Sequence, residues 1–183
     1  MVSLDVVDVS SYAKKYALES NILGLRQVAD SRVDVNESGL LMHGSEKDPL
    51  SILKYGLVPQ KTEDNLIDNE WQVCLGLNSS GSETIDRSMA RKNSAVKYAG
   101  YFSPHGVVYV LSDDVKLADG YREFWDEGED GRGYAWVSRP VSTKMITALI
   151  TRNLALASAA VMSSGVDLRV YLPDGTCYQV EQL

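Results

Sequence analysis

Apolar positions recur along this chain at spacings that alternate between those typical of strands and those typical of helices. Residues 2–9 are rich in valine and predict a strand or an extended lead-in. Residues 11–29 carry apolar positions at roughly helical spacing behind a serine pair, which predicts a capped helix. The polar stretch at 30–39 marks a boundary, so we expect a 1–38 strand and helix extension ahead of a 39–183 domain.

A buried strand followed by a helix is predicted at the start of that domain. The strand is the apolar run at 40–43, and the helix begins at Asp48-Pro49. Asp48 is a favourable N-cap, and Pro49 suits the first helical position because an N–H there would have no partner. Gly56 is expected to end the helix, since glycine readily adopts the conformation that follows a helix C-terminus.

The remaining pattern predicts more strands than helices. Apolar runs predict strands at 71–77, 106–111 and 134–141. Helical spacing predicts a basic helix at about 83–101 and a long alanine-rich helix from 141 to about 164. The acidic stretch at 112–132 is long for a connection in a compact domain, so we expect it to be a lid or binding loop.

The end of the chain has the pattern of a β-hairpin. Pro173-Asp174-Gly175 is a turn sequence between two apolar runs, at 168–172 and 176–183. Together the elements predict an α+β fold, in which a mostly antiparallel sheet packs against flanking helices and an N-terminal helical element is added.

Composition narrows the class of protein. Hydrophobic residues make up 44% of the chain and charged residues 23%, which excludes global disorder. There are 25 acidic residues against 18 basic ones, for a net charge of -7. Proteins that bind phosphate backbones electrostatically carry a basic footprint, so this excess argues against nucleic acid as a partner.

The sequence also argues against a metal site and against a membrane-spanning segment. Cys74 and Cys177 are too few for a disulfide framework or a cysteine zinc site, and are interpreted as reduced thiols, with a single disulfide as the alternative. The two histidines lack metal-binding spacing, so we expect no metal. No apolar run reaches about 18 residues, so no membrane span is expected. The N-terminus lacks the pattern of a Sec signal.

The most informative stretch is His43-Gly44-Ser45, at the end of the predicted buried strand. It places an imidazole, an unobstructed backbone and a hydroxyl in one spot. A carboxamide ligand needs such a spot, because Gly44 leaves peptide N–H and C=O groups approachable and Ser45 adds a hydroxyl. The imidazole of His43 could bond a ribose hydroxyl. The alternative is a strand-end histidine that only caps the following turn.

With Ile52 and the Gly56-Leu57 pair behind it, the triplet at 43–45 resembles the NAD-binding start of ADP-ribosyltransferases of the diphtheria-toxin and poly-ADP-ribose-polymerase kind. Tyr98-Ala99-Gly100-Tyr101 resembles the helix of that family whose tyrosine stacks on nicotinamide. The resemblance implies the ADP-ribosyltransferase-like split antiparallel sheet, NAD as substrate, and a stacking role for Tyr98 or Tyr101. The alternative is that these two tyrosines, three residues apart on one helical face, are core residues.

The later segments are similar to the same family in order. Residues 106–110 resemble the strand after the tyrosine helix, and 175–180 lie where the last catalytic strand is expected. Residues 141–145 and 172–181 also resemble the HopF/AvrPphF group of bacterial type III effectors. That second resemblance implies an injected effector that acts on a host protein.

The family's catalytic acid has no direct counterpart in this chain. Cys177 stands before Tyr178 where the toxin and polymerase pattern has glutamate. Cleavage of the nicotinamide–ribose bond builds oxocarbenium character, which a nearby carboxylate stabilises. The candidates in the predicted hairpin are Asp174 and Glu181. The alternatives are that Asp174 is ordinary turn chemistry and that Glu181 is a solvated residue near the terminus.

The function expected from these resemblances is NAD-dependent mono-ADP-ribosylation of a protein. His43 would bind the ribose, and Gly44 and Ser45 the nicotinamide amide. The alternatives are an inactive transferase-fold module that binds a partner protein, and an NAD glycohydrolase. We expect the protein to be soluble, and either cytoplasmic or secreted without a Sec signal.

Overall fold

The computed structural model describes residues 24–29, 39–61, 70–77, 105–125 and 133–181. Its elements, in chain order, are β1 (Leu25–Val28), β2 (Leu41–Ser45), α1 (Pro49–Tyr55), β3 (Val73–Leu77), β4 (Val107–Leu111), β5 (Arg122–Trp125), β6 (Gly133–Val137), β7 (Ile146–Thr151), α2 (Leu154–Ser164), β8 (Arg169–Tyr171) and β9 (Cys177–Val180). Short 3-10 helices occupy Asp113–Leu117 and Thr143–Met145.

The described strands form one sheet in the order β1-β9-β8-β7-β4-β2-β3-β6-β5. Every neighbouring pair is antiparallel except β7 with β8, which are parallel. Helix α2 connects those two strands, because parallel neighbours need a crossover. The α+β class and the mostly antiparallel sheet are therefore confirmed.

Each face of the sheet buries its own set of apolar side chains. The larger cluster includes Leu41, Leu75 and Tyr109 and packs against residues of both helices. The smaller cluster, on the opposite face, includes Met42 and Val108. Because successive side chains of a strand point to opposite faces, these clusters assign each residue of β2, β3 and β4 to a face.

The predicted helix after Asp48 is confirmed, and so are its end signals. The side chain of Asp48 accepts a hydrogen bond from the backbone N–H of Leu50 at 3.0 Å, and Pro49 lies at the first helical position. Gly56 follows the helix with φ +78°, a conformation that favours glycine. The hairpin of β8 and β9 is likewise confirmed, with its turn at 173–174.

The long helix predicted from 141 to about 164 is wrong in its first half. Residues 143–145 form the 3-10 turn and 146–151 form β7, and only 154–164 are α-helical. Four of the six residues of β7 are β-branched, and such side chains lose freedom in a helix but pack well in a sheet. Pairing with both β4 and β8 then stabilises the strand.

Two other predictions are wrong in part. The stretch at 112–132 contains a 3-10 helix and the edge strand β5, so it is not simply a loop. The end of the helix predicted at 11–29 is strand β1, which comes from the 1–38 extension and pairs with β9. The strand predicted at 2–9, the rest of that first helix and the basic helix at 83–101 lie outside the described residues.

Candidate functional site

His43 lies at the point in the middle of the sheet where strands β2 and β3 stop pairing and leave an opening between them. Its strand β2 pairs with β4 over all five residues, and His43 stands opposite Tyr109. On the other side, β2 pairs with β3 only through Leu41 and Met42. The strands β2 and β3 therefore separate from His43 onward, and the backbone ladder between them ends there.

The imidazole of His43 spans this opening. Its Nδ1 lies 2.8 Å from the carbonyl oxygen of Cys74 on β3. A carbonyl oxygen only accepts hydrogen bonds, so Nδ1 must carry the proton and donate it. In the neutral ring Nε2 then holds a lone pair, and none of the described residues hydrogen-bonds to it. His43 thus presents an acceptor at the opening.

Burial keeps this imidazole neutral. Desolvation lowers the pKa of His43 below its usual value of 6.5, and the hydrogen bond to the Cys74 carbonyl opposes that effect. The positive charge of Lys47 lowers the pKa further. At neutral pH the ring therefore carries one proton, on Nδ1, and can accept a hydroxyl hydrogen bond through Nε2.

Gly44 and Ser45 follow His43 along the strand that borders the opening. Gly44 is half-buried, and Ser45 is buried, with 8% exposure. The hydroxyl oxygen of Ser45 accepts a hydrogen bond from the backbone N–H of Lys47 at 3.1 Å. Ser45, rather than His43, therefore stabilises the turn into α1, and its hydroxyl hydrogen remains a possible donor to a ligand.

Tyr109 is the side chain that sequence reasoning missed. Its ring centroid lies 6.2 Å from that of His43, with the rings tilted by 42°. The side chain is fully buried, and its hydroxyl has no hydrogen-bond partner among the residues that the structure describes. Burial, together with the negative charge of Asp48, raises the pKa of Tyr109 above its ordinary value. Only the register of β2 and β4 places it beside His43, so the sequence carried no signal for it.

Asp174 and Glu181 lie far from His43. They flank strand β9, and β8 and β9 stand three and four strands from β2 in the sheet. At about 4.8 Å between neighbouring strands, the separation is at least about 14 Å. Asp174 accepts a hydrogen bond from the Thr176 N–H at 2.9 Å, and Glu181 forms a 3.1 Å ion pair with Arg26. The structure gives these acids local partners and does not bring them to His43.

Glu123 is a described acid on the face of the sheet that carries His43, but it is also distant from that residue. Leu75 pairs with Ala135, and Ala135 pairs with Glu123, on the face that also carries His43. Three strand spacings separate the two residues, which is at least about 14 Å because β2 and β3 no longer pair at His43. The carboxylate accepts a hydrogen bond from the Tyr121 hydroxyl at 2.7 Å. The sequence analysis placed Glu123 in a loop, so its position on a strand of this face was not foreseen.

Three further observations bear on earlier expectations. Tyr98 and Tyr101, the predicted stacking residues, lie outside the described residues. In the part of the chain that the structure describes, no group of three or more histidine, cysteine or acidic residues could hold a metal ion. Within that part, no helix has the length and apolar character needed to cross a membrane.

Neither cysteine forms a disulfide, as predicted from their number. Cys177 is buried within the smaller apolar cluster. Cys74 is half-buried beside His43, whose ring bonds its carbonyl oxygen.

Comparisons of the chain with protein-family models, with curated proteins and with solved structures gave no match.

Proposed function

We propose that this protein is a mono-ADP-ribosyltransferase that takes NAD as substrate and modifies a protein. The observation that carries the proposal is the placement of His43 at the opening between β2 and β3. There its Nδ1 is held by the Cys74 carbonyl and its Nε2 is left as an acceptor. The sequence resemblance at 43–45 supports NAD as the ligand, and the resemblance at 141–145 and 172–181 supports a host protein as the acceptor.

The reaction breaks the bond between the nicotinamide nitrogen and C1′ of the ribose. Nicotinamide leaves with the electron pair of that bond, and C1′ gains oxocarbenium character. A nucleophilic side chain of the acceptor protein then bonds to C1′ and loses its proton to a base or to solvent. His43 would accept a hydrogen bond from a ribose hydroxyl through Nε2 and so hold the sugar in place.

The residues around His43 are suited to the nicotinamide end of NAD as well. Gly44 offers backbone groups without side-chain obstruction, and the hydroxyl of Ser45 has a hydrogen to donate. The electrostatic stabilisation of C1′ needs a carboxylate. Glu123 shares a face with His43, but it lies at least about 14 Å away and accepts a hydrogen bond from Tyr121, so the structure favours it no more than Asp174 or Glu181, which also have local partners.

The test is nicotinamide release from NAD by the purified chain, with and without a cell lysate as protein acceptor. His43→Ala should abolish release and labelling of a lysate protein. His105→Ala is the matched control, because His105 is the other histidine and is exposed. Release that persists in His43→Ala, or falls equally in the control, would contradict the assignment. Release that needs no lysate would indicate an NAD glycohydrolase.

A second candidate function is an inactive transferase-fold module that binds a partner protein. It is favoured by the distance of at least about 14 Å between His43 and the acids Asp174 and Glu181. A carboxylate scan separates the two functions. If the parent chain cleaves no NAD, the module is the better account. If it cleaves NAD, a loss of cleavage with NAD binding kept in Glu123→Gln, Asp174→Asn or Glu181→Gln identifies the acid and supports the transferase.

A further inference from the structure

Strand β5 forms one edge of the sheet, and its outer side is unpaired among the described strands. It pairs with β6 over residues 122–125, and no described strand lies beyond it. All four of its residues are exposed. An edge strand of this kind presents backbone N–H and C=O groups with which another extended chain can pair. The backbone of β5 is therefore open to the addition of a further strand.

The side chains at the end of β5 do not shield this edge. Natural edge strands are commonly protected by lysine, proline or a bulge. Here Phe124 and Trp125 are 55% and 40% exposed, although both are large and apolar. The Trp125 ring lies across Gly133 of β6, since a Cβ added to that glycine would come 2.8 Å from it. The edge thus carries an apolar surface that the sheet itself holds in place.

The two faces of β5 differ in chemistry. Glu123 pairs with Ala135, whose side chain belongs to the larger apolar cluster, so Glu123 lies on the face that the helices cover. Trp125 shares that face, because it is two residues further along the strand. Arg122 and Phe124 lie on the opposite face. A strand added to β5 would therefore meet an acid and a tryptophan on one face and a phenylalanine on the other.

The charge around β5 is predominantly negative. Residues 112–125 contain four acidic side chains, all of them exposed, and two basic ones. The ammonium group of Lys116 is held by Asp113 in an ion pair of 2.7 Å. The guanidinium of Arg122 donates a hydrogen bond to the Tyr121 carbonyl oxygen at 2.8 Å. Both cations therefore have local partners, and an excess of negative charge remains for a ligand.

This charge decides which extended chain fits the edge. A second copy would bring Glu123 and the chain's net charge of -7 against the same charges, and like charges across a strand pair are destabilising. A basic segment is complementary instead. Its ammonium groups would meet the Glu123 carboxylate and the Trp125 ring, both of which attract cations. Apolar side chains on its other face would pack against Phe124.

We propose that β5 binds an extended basic segment of a partner protein, which adds to this edge of the sheet as a further strand. The segment alternates basic and apolar residues, because alternate side chains of a strand face opposite sides. This surface goes beyond the proposed function, since it recruits a partner whether or not the chain cleaves NAD. It would hold the acceptor of a transferase or the partner of an inactive module.

The opposite edge of the sheet provides an internal comparison. Strand β1 is also an edge among the described strands, but its charged residue is Arg26, which forms an ion pair with Glu181. Its apolar residues Leu25 and Val28 are buried and half-buried, so β1 presents no exposed aromatic ring. A basic peptide that adds to the sheet should therefore select β5.

The test titrates the parent chain with a peptide of about seven residues that alternates lysine and valine, followed by NMR of the backbone amides. A glutamate–valine peptide of the same length is the charge control. Two further lysine–valine peptides carry N-methyl groups, one on every valine and the other on every lysine. Alternate N–H groups of a strand point to opposite edges, so only one of these two peptides loses its hydrogen bonds to β5.

We expect the lysine–valine peptide to shift the amide signals of 122–125 and to bind at least about tenfold more tightly than the glutamate–valine peptide. Glu123→Lys should reduce that preference to less than about threefold, and Phe124→Thr should weaken binding by at least about threefold. Glu46→Lys is the matched control and should keep the preference, because Glu46 is an exposed acid directly after β2 and its replacement changes the net charge equally. One N-methylated peptide should bind and the other should not.

Equal binding of the two N-methylated peptides would overturn the proposal, because strand addition uses one edge of the peptide. That result needs only the parent chain, so it does not depend on how a variant folds. Amide shifts at β1 instead of β5, or a preference that Glu123→Lys leaves unchanged, would also overturn it. Self-association of the parent chain that Phe124→Thr abolishes would assign the edge to a second copy. Peptide binding at β5 in a chain that does not cleave NAD would support this surface and refute the transferase.

Discussion

Acidification should destabilise this fold through His43. Burial lowers the pKa of His43 in the folded state, whereas the unfolded chain keeps a value near 6.5. Below pH 6.5 the unfolded state therefore binds a proton that the folded state resists. Stability that is fully present above pH 6.5 is lost as the pH falls, until the folded-state pKa is reached.

The size of the effect follows from the same linkage. The ceiling is set by one proton that the unfolded state binds and the folded state does not, which is about 1 kcal/mol in the free energy of unfolding between pH 7.5 and 5.5. The positive charge of Lys47 increases the loss of stability at low pH, because it opposes protonation of the His43 ring in the folded state. The hydrogen bond to Cys74 limits the loss, since the protonated ring still donates through Nδ1.

The assay is urea unfolding of the parent chain and of His43→Asn at both pH values. Asparagine can still donate to the Cys74 carbonyl but does not titrate, and all other ionisable groups are the same in both proteins. The difference between the two proteins in the free energy of unfolding should therefore shrink as the pH falls from 7.5 to 5.5, by more than about 0.3 kcal/mol and by no more than that ceiling. Equal pH dependence, within about 0.3 kcal/mol, would refute the reasoning, because His43 would then titrate alike in both states.

Three further changes test the fold. Gly56→Ala should lower the free energy of unfolding in urea by more than about 2 kcal/mol. The backbone φ is +78° there, and the new Cβ would lie well under 3.0 Å from the Val141 carbonyl. A loss below about 1 kcal/mol would contradict this. Asn153→Ala should lower stability by about 1 kcal/mol, since it removes the N-cap of α2, and Asn153→Asp should restore most of the loss. Glu181→Gln should change the free energy of unfolding by less than about 0.5 kcal/mol, because its ion pair with Arg26 is more than half exposed; a larger effect would contradict the reasoning.

Elements that are specified by a few consecutive residues were predicted correctly from the sequence alone. The helix α1 needed only the Asp48 cap, the proline behind it and the glycine at its end. The hairpin of β8 and β9 needed only its Pro-Asp-Gly turn. In these places local backbone preference and tertiary packing favour the same conformation, so short-range chemistry was enough.

Strands that are stabilised by pairing with segments distant in the sequence were not predicted from the sequence alone. Residues 146–151 lie within an alanine-rich region that continues as helix, yet β4 and β8 stabilise them as a strand. Strand β5 forms beside β6 in a stretch whose acidic composition indicated a loop. Here strand pairing outweighed local preference, because cross-strand packing is a property of both partners.

The candidate site likewise combines features that the sequence determines with features that only the tertiary structure determines. The sequence alone determined that an imidazole, a glycine and a serine end one buried strand, since they are consecutive residues. Only the tertiary structure decided that Tyr109 stands beside His43, that the Cys74 carbonyl orients its ring, and that Asp174 and Glu181 lie at least three strands away. Strand order and register set those distances, and both arise from the packing of segments far apart in the chain.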